Sequence, residues 1–136
     1  VAVFHTASAA ETINLGRRFA ARLKVKDVVA FYGELGSGKT TMIKGIAGGL
    51  GVNEVVKSPS FVIITEYQGR VPVYHIDLYR ISKPNELEGF DLEEYFEAEG
   101  VCLIEWAERA ESLLPERTIR VRLELAGKGR RIEIGE

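Results

Sequence analysis

The segment Gly33-Glu-Leu-Gly-Ser-Gly-Lys39-Thr40 limits the fold more than any other part of the chain. It fits G-x-x-x-x-G-K-[ST] in full. It lies between Val28–Tyr32, which reads as a short buried strand, and a helical pattern from about Gly38 to Leu50. Glycines let the backbone curl until successive N–H groups point at an anion, and the helix N-terminus adds partial positive charge. Lys39 supplies a compact charge for the outer phosphates, and the Thr40 hydroxyl can ligate Mg²⁺. Gly33, Glu34, Leu35, Gly36, Ser37, Gly38, Lys39, Thr40 and Thr41 are therefore the candidate nucleotide-binding residues.

The remaining pattern is that of an α/β chain. Ser8-x-x-Glu11 reads as a capping box ahead of a helix carrying Leu15, Phe19 and Leu23. Ser58–Tyr67 and Val71–Tyr79 read as two strands joined at Gln68-Gly69-Arg70. Alternation sets Val73, His75, Asp77 and Tyr79 on one face, and Tyr74, Ile76 and Leu78 on the other. Pro84 and Asp91 mark the starts of short helical pieces, the second with an Asp91-x-x-Glu94 cap. Val101–Ile104 is a buried strand ending at Glu105, and Trp106–Leu114 is a short helix stopped by Pro115. The alternating run from Ile119 to Leu125 turns at Gly127-Lys-Gly129 into Arg130–Ile134. The expected architecture is a P-loop-type mixed sheet with a parallel core, antiparallel hairpins and flanking helices, with residues 1–136 forming a single domain.

Composition narrows the function. Lys plus Arg number 18 and Asp plus Glu 20, a net charge of −2. That argues against a surface built to grip nucleic acid as a whole. The one cysteine, Cys102, allows no intrachain disulfide and fits a reducing, cytoplasmic setting. Apolar runs fall far short of the ~20 residues of a membrane helix. A segment before Val1 is not excluded.

No Asn-Lys-x-Asp occurs to select guanine and no Leu-Ser-Gly-Gly-Gln of transporter ATPases, so ATP is the expected nucleotide by elimination. A P-loop site needs an acid at the end of a buried strand, on Mg²⁺ or its water shell. Glu105, after Val101-Cys-Leu-Ile104, fits that position best. Asp77, after Tyr74-His75-Ile76, could position or deprotonate the attacking water.

Gly33–Thr41, Ser58-Pro-Ser-Phe61, His75-Ile-Asp-Leu-Tyr-Arg80 and Ile104-Glu-Trp106 occur in that order. Together they resemble the TsaE (YjeE) family of bacterial ATPases of tRNA threonylcarbamoyladenosine biosynthesis. The resemblance implies binding of ATP and Mg²⁺, with the metal held by Thr40 and Glu105 and with Asp77 needed for hydrolysis. It implies work with TsaD and TsaB, which modify adenosine 37 of tRNAs reading codons that start with A, so that tRNA is met indirectly. A chain end near the adenine fits this family, which makes Thr6, ahead of the first helix, a candidate for the adenine side. The family's Ser-Pro-Thr-Phe is here Ser58-Pro59-Ser60-Phe61, which keeps a hydroxyl at Ser60 for hydrogen bonding or phosphate sensing in a switch-like loop; on local sequence the segment reads equally as a strand-start Ser-Pro turn.

Weaker signals have bland readings beside functional ones. His75 reads first as a hydrogen-bonded structural histidine. Trp106 is either core or a nucleotide or partner contact, and Arg80 either a phosphate contact or a surface arginine. Cys102 reads as a small buried apolar residue. The acidic stretch Glu86–Glu99 and the basic cluster Lys128, Arg130 and Arg131 read as solvated surface. Two rival functions remain: a small P-loop kinase, which this chain leaves little room to equip with an acceptor pocket and lid, and a nucleotide-gated assembly module without obligatory turnover.

Overall fold

The computed structural model describes residues 1–56 and 63–135. Seven strands form one sheet in the order β1-β7-β6-β2-β5-β4-β3. They are β1 (Ala2–Thr6), β2 (Val28–Tyr32), β3 (Ile64–Gln68), β4 (Pro72–Asp77), β5 (Val101–Glu105), β6 (Ile119–Ala126) and β7 (Gly129–Ile134). β6, β2, β5 and β4 run parallel, while β3, β7 and β1 add antiparallel edges. This is the mixed sheet with a parallel core that the sequence predicts. β2 and β5 match their expected spans, and the hairpin β6–β7 turns where expected. The expected beginning of β3 at Ser58 falls outside the described residues.

Alternation along the central strands makes two cores. Val29 and Phe31 of β2, Val101 and Leu103 of β5 and Val73 of β4 face α1 (Ala9–Ala20) and α2 (Lys39–Gly49), joining Leu15, Phe19, Met42, Ile43 and Ile46. Val28, Ala30, Cys102, Ile104 and Ile76 face the other way. There they meet Leu87 of a 3-10 turn at Pro84–Leu87, Leu92 and Phe96 of α3 (Leu92–Glu97), and Ala107 and Ala110 of a kinked 3-10 segment, Ala107–Leu113. The expected split of β4, with Val73 on one face and Tyr74, Ile76 and Leu78 on the other, is observed.

Half of the expected capping box forms: Ser8 Oγ accepts the Glu11 N–H at 3.2 Å, while the Glu11 carboxylate accepts the N–H of Ala7, one residue before the cap, at 2.9 Å. α1 and α2 then meet at backbone distance. A Cβ at Gly45 would collide with the Ile13 carbonyl, and one at Gly16 with the Met42 carbonyl.

Three expectations change. β1 has no counterpart in the sequence reading. It is an edge strand whose first four side chains are exposed, so it shows no apolar alternation. Asp91 does precede α3, but with φ 48° it makes no side-chain cap; its carbonyl accepts the Glu94 N–H instead. The segment after Trp106 is 3-10 rather than α-helical, with Ala110 breaking it at φ −132°.

Candidate nucleotide site

The carboxyl ends of the parallel strands converge on the amino end of α2, which is where open α/β sheets place their ligands. Between β2 and α2 the loop curls through Gly33 at φ 152° and Gly38 at φ 104°, backbone that side chains rarely tolerate. At Gly33 a Cβ would also meet the Leu123 carbonyl and the Ser37 hydroxyl, so the loop is packed down onto β6. Ser37 Oγ, fully buried there, has no hydrogen-bond partner among the described residues.

Lys39 opens α2 and is 5% exposed. Its ammonium donates to the Gly33 carbonyl, lies 3.4 Å from the Glu34 carbonyl, and sits 3.9 Å from the centroid of the Trp106 ring. Burial pulls its pKa below the ordinary lysine value, against the opposing pull of Glu105, Glu108 and Asp77. A cation held this way, on carbonyls and an aromatic face, is available to a stronger acceptor such as a phosphate.

One residue on, the Thr40 hydroxyl donates to Glu105 Oε1 at 2.9 Å. Glu105 ends β5, is 3% exposed, and uses its other oxygen, Oε2, to accept from His75 Nε2 at 2.7 Å. Asp77 ends β4 in direct register with Glu105 and Phe31 ends the matching row on β2. Strand parity therefore sets Asp77, Glu105 and His75 on the α2 side of the sheet. Asp77 Oδ1 accepts the Tyr79 N–H at 3.0 Å, which orients the carboxylate across the turn leaving β4.

A hydroxyl and a carboxylate in contact, with a second carboxylate in register beside them, form a hard all-oxygen donor set that suits Mg²⁺. No group of three His, Cys, Asp or Glu side chains among the described residues could hold an ion alone. An ion here would be shared with phosphate oxygens and water, the usual Mg²⁺ arrangement.

Other expected residues fall around this centre. Trp106, at φ 58°, is half-buried beside Lys39 and 5.2 Å from the Tyr79 ring. Arg80 is exposed on the turn beyond Asp77. Thr6 is buried, its hydroxyl 2.7 Å from that of Thr12. Between the start of α1 and the β6–β7 turn, Ser8, Thr12, Gly38, Thr41, Lys128 and Arg130 line a cleft of 120 Å³. Ser60 lies outside the described residues.

Two contributors escape the sequence reading. Arg130, read as solvated, reaches from β7 to the Gly36 carbonyl at 3.1 Å. Arg109, which no motif marks, donates to the carbonyls of Tyr79, at 2.8 Å, and Ile81, and stands 5.4 Å from the Trp106 ring. It ties the turn after Asp77 to the segment after Glu105.

Comparison with known proteins decides the lineage. The family model described as "Threonylcarbamoyl adenosine biosynthesis protein TsaE" matches residues 6–132. The chain belongs to the TsaE family. The TsaE protein of Bacillus subtilis (strain 168) is 43% identical over 129 residues, covering 94% of this chain and 80% of that one. The Haemophilus influenzae TsaE protein is 37% identical, over 90% of this chain and 81% of its own. Both carry the description "tRNA threonylcarbamoyladenosine biosynthesis protein". The crystal structure of Bacillus subtilis YdiB superposes with a TM-score of 0.84 at 39% identity, covering 96% of this chain and 82% of that one. The fold and the place in tRNA modification are those of TsaE.

Proposed function

We propose that this TsaE-family chain binds Mg·ATP at Gly33–Thr41 and hydrolyses it as the ATPase subunit of an assembly with TsaD and TsaB. That assembly would threonylcarbamoylate adenosine 37 of tRNAs reading A-starting codons. The observation that carries the reading is the contact of Thr40 with Glu105 at the foot of the phosphate loop, beside the buried Lys39. A threonine hydroxyl and a strand-end carboxylate in this relation are what a P-loop site uses for its metal.

Each residue then has a role. Backbone N–H groups of the loop and the start of α2 hold the phosphates. Lys39 exchanges its carbonyls for phosphate oxygens. Thr40 and Glu105 hold the ion, and bound Mg²⁺ supplies charge neutralisation on the phosphoryl oxygens. Asp77, fixed by the Tyr79 N–H, orients the attacking water, since phosphoryl transfer asks mainly for positioning and electrostatics. Trp106, beside Lys39, and the exposed Arg80 are candidates for contact with the nucleotide or a partner, and Ser60 is the candidate phosphate-sensing hydroxyl. The cleft beside Thr6 and Thr12 is the adenine side. No described helix is long and apolar enough to cross a membrane. The tRNA-modifying role supports a cytoplasmic location.

Fast transfer in such sites usually draws on a cation that settles on the γ-phosphate in the transition state, worth ~10³–10⁵ in rate and often supplied in trans. Lys39 is committed to the ground-state phosphates. Hydrolysis by the chain alone is expected well below ~1 s⁻¹ and faster when TsaD and TsaB dock. Steady-state hydrolysis with and without the pair, in the native chain and in Lys39→Ala, tests this. Docking indifferent to nucleotide, a fast rate alone, or an unchanged rate in Lys39→Ala contradicts it.

A further inference from the structure

His75 is fully buried in β4, between Tyr74 and Ile76 and two residues before Asp77. A carboxylate oxygen can only accept, so the hydrogen in the 2.7 Å contact belongs to Nε2. The other ring nitrogen, Nδ1, has no hydrogen-bond partner among the described residues. Among the described residues the ring thus makes one polar contact. A buried imidazole with an unmet nitrogen is unfavourable at a purely structural position, where an aliphatic residue would pack without that cost. Among the described residues, the contact with Glu105 is the one polar gain that a histidine brings to this position.

Glu105 is held at both oxygens and the two holds differ. Oε1 meets Thr40, whose hydroxyl is needed at the phosphate loop. Oε2 meets His75, which lies deeper in the sheet and has no other hydrogen-bond partner among the described residues. Register explains the approach. His75 pairs with Leu103 and Asp77 with Glu105, so His75 is one pleat deeper on the same face as the carboxylate. The bond leaves the carboxylate with one orientation, Oε1 toward Thr40.

We propose that His75 is a positioning residue: through Nε2 it locks the Glu105 carboxylate so that Oε1 is presented on the Thr40 side, ready for a divalent cation. This rests on the reading of Glu105 as the metal-side acid. Hydrogen bonds that orient a ligating carboxylate commonly alter metal affinity by 10–100-fold when removed.

The test titrates Mg²⁺ against binding of a fluorescent non-hydrolysable ATP analogue, with metal-free binding measured alongside. His75→Phe removes the donor and keeps the ring. His75→Gln returns a donor at the depth of Nε2, whereas His75→Asn places its amide at the depth of Nδ1, too short for Glu105. His75→Phe and His75→Asn are expected to raise the Mg²⁺ concentration for half-maximal enhancement by about 10-fold or more. Metal-free binding should hold, and His75→Gln should recover most of the shift. If His75→Phe does not fold, the Gln and Asn variants make the same comparison. A Mg²⁺ requirement equal to the native chain's in His75→Phe and His75→Asn, while Glu105→Gln raises it, overturns the role of His75 alone. A Mg²⁺ requirement unmoved by Glu105→Gln overturns the metal-side reading itself.

Discussion

On one side of the sheet α1 and α2 press together through their backbones, with Gly16 and Gly45 admitting the neighbouring helix. On the other, short helical pieces are tied down by arginines reaching carbonyls. Arg117 donates to the carbonyls of Lys26, at 2.9 Å, and Phe96, at 2.6 Å; Arg109 donates to those of Tyr79 and Ile81. The helical side is a close-packed body whose edge becomes the phosphate loop. The irregular side carries Trp106 and the turn that follows Asp77. Backbone packing fixes the helical side, and side-chain ties to carbonyls fix the irregular one.

The largest effect should come from breaking the helical side. Gly45→Val sets branched carbon against the Ile13 backbone, which cannot move aside as a side chain would. A loss of roughly 3 kcal/mol is expected, a large part of a typical domain's stability, read as a lowered urea midpoint. A midpoint near the native one would show that α1 and α2 are not locked.

A smaller effect separates the two arginine ties. Arg109→Ala and Arg117→Ala should each lower stability by about 1–2 kcal/mol. Only Arg109→Ala should also slow ATP turnover without weakening nucleotide binding, because only Arg109 secures the turn beyond Asp77. Equal turnover in the two variants would remove that distinction.

The smallest effect sharpens the contrast by pH. Burial pushes the Cys102 thiol from 9.0 up to about 12, and burial with the 2.6 Å bond to Glu111 pushes Tyr32 from 10.0 to about 12. Both belong to the core on the irregular side. The folded chain keeps these protons where the unfolded chain releases them. Their contribution is whole below pH 9 and lost as pH rises toward 12. Urea midpoints at pH 8 and 10.5 should fall, and less steeply in Cys102→Ala and Tyr32→Phe. A slope unchanged in both would contradict the assignment.

What the sequence shows follows the same division. β2, the phosphate loop, α2 and β5 are legible because each is fixed locally, by apolar runs, glycines and caps. The acids at the ends of β4 and β5 are legible as strand ends. Their company is not. His75 meets Glu105 through the parallel register of β4 and β5, a pairing across 30 residues that no local pattern encodes. Arg109 lies in an irregular segment whose path depends on the positive φ of Trp106. β1 escapes because an exposed edge strand need not alternate.

In the proposed function the two strand-end acids divide the work: Glu105 with Thr40 serves the metal, and Asp77 serves the water. The direct test measures Mg·ATP affinity and single-turnover hydrolysis in Glu105→Gln and Asp77→Asn, each with the TsaD and TsaB pair present. Glu105→Gln is expected to weaken Mg²⁺-dependent binding about 10-fold or more. Asp77→Asn should bind nearly as the native chain does and turn over at least ~100-fold more slowly. Loss of Mg·ATP binding in Asp77→Asn with full binding in Glu105→Gln would reverse the two roles and overturn this division.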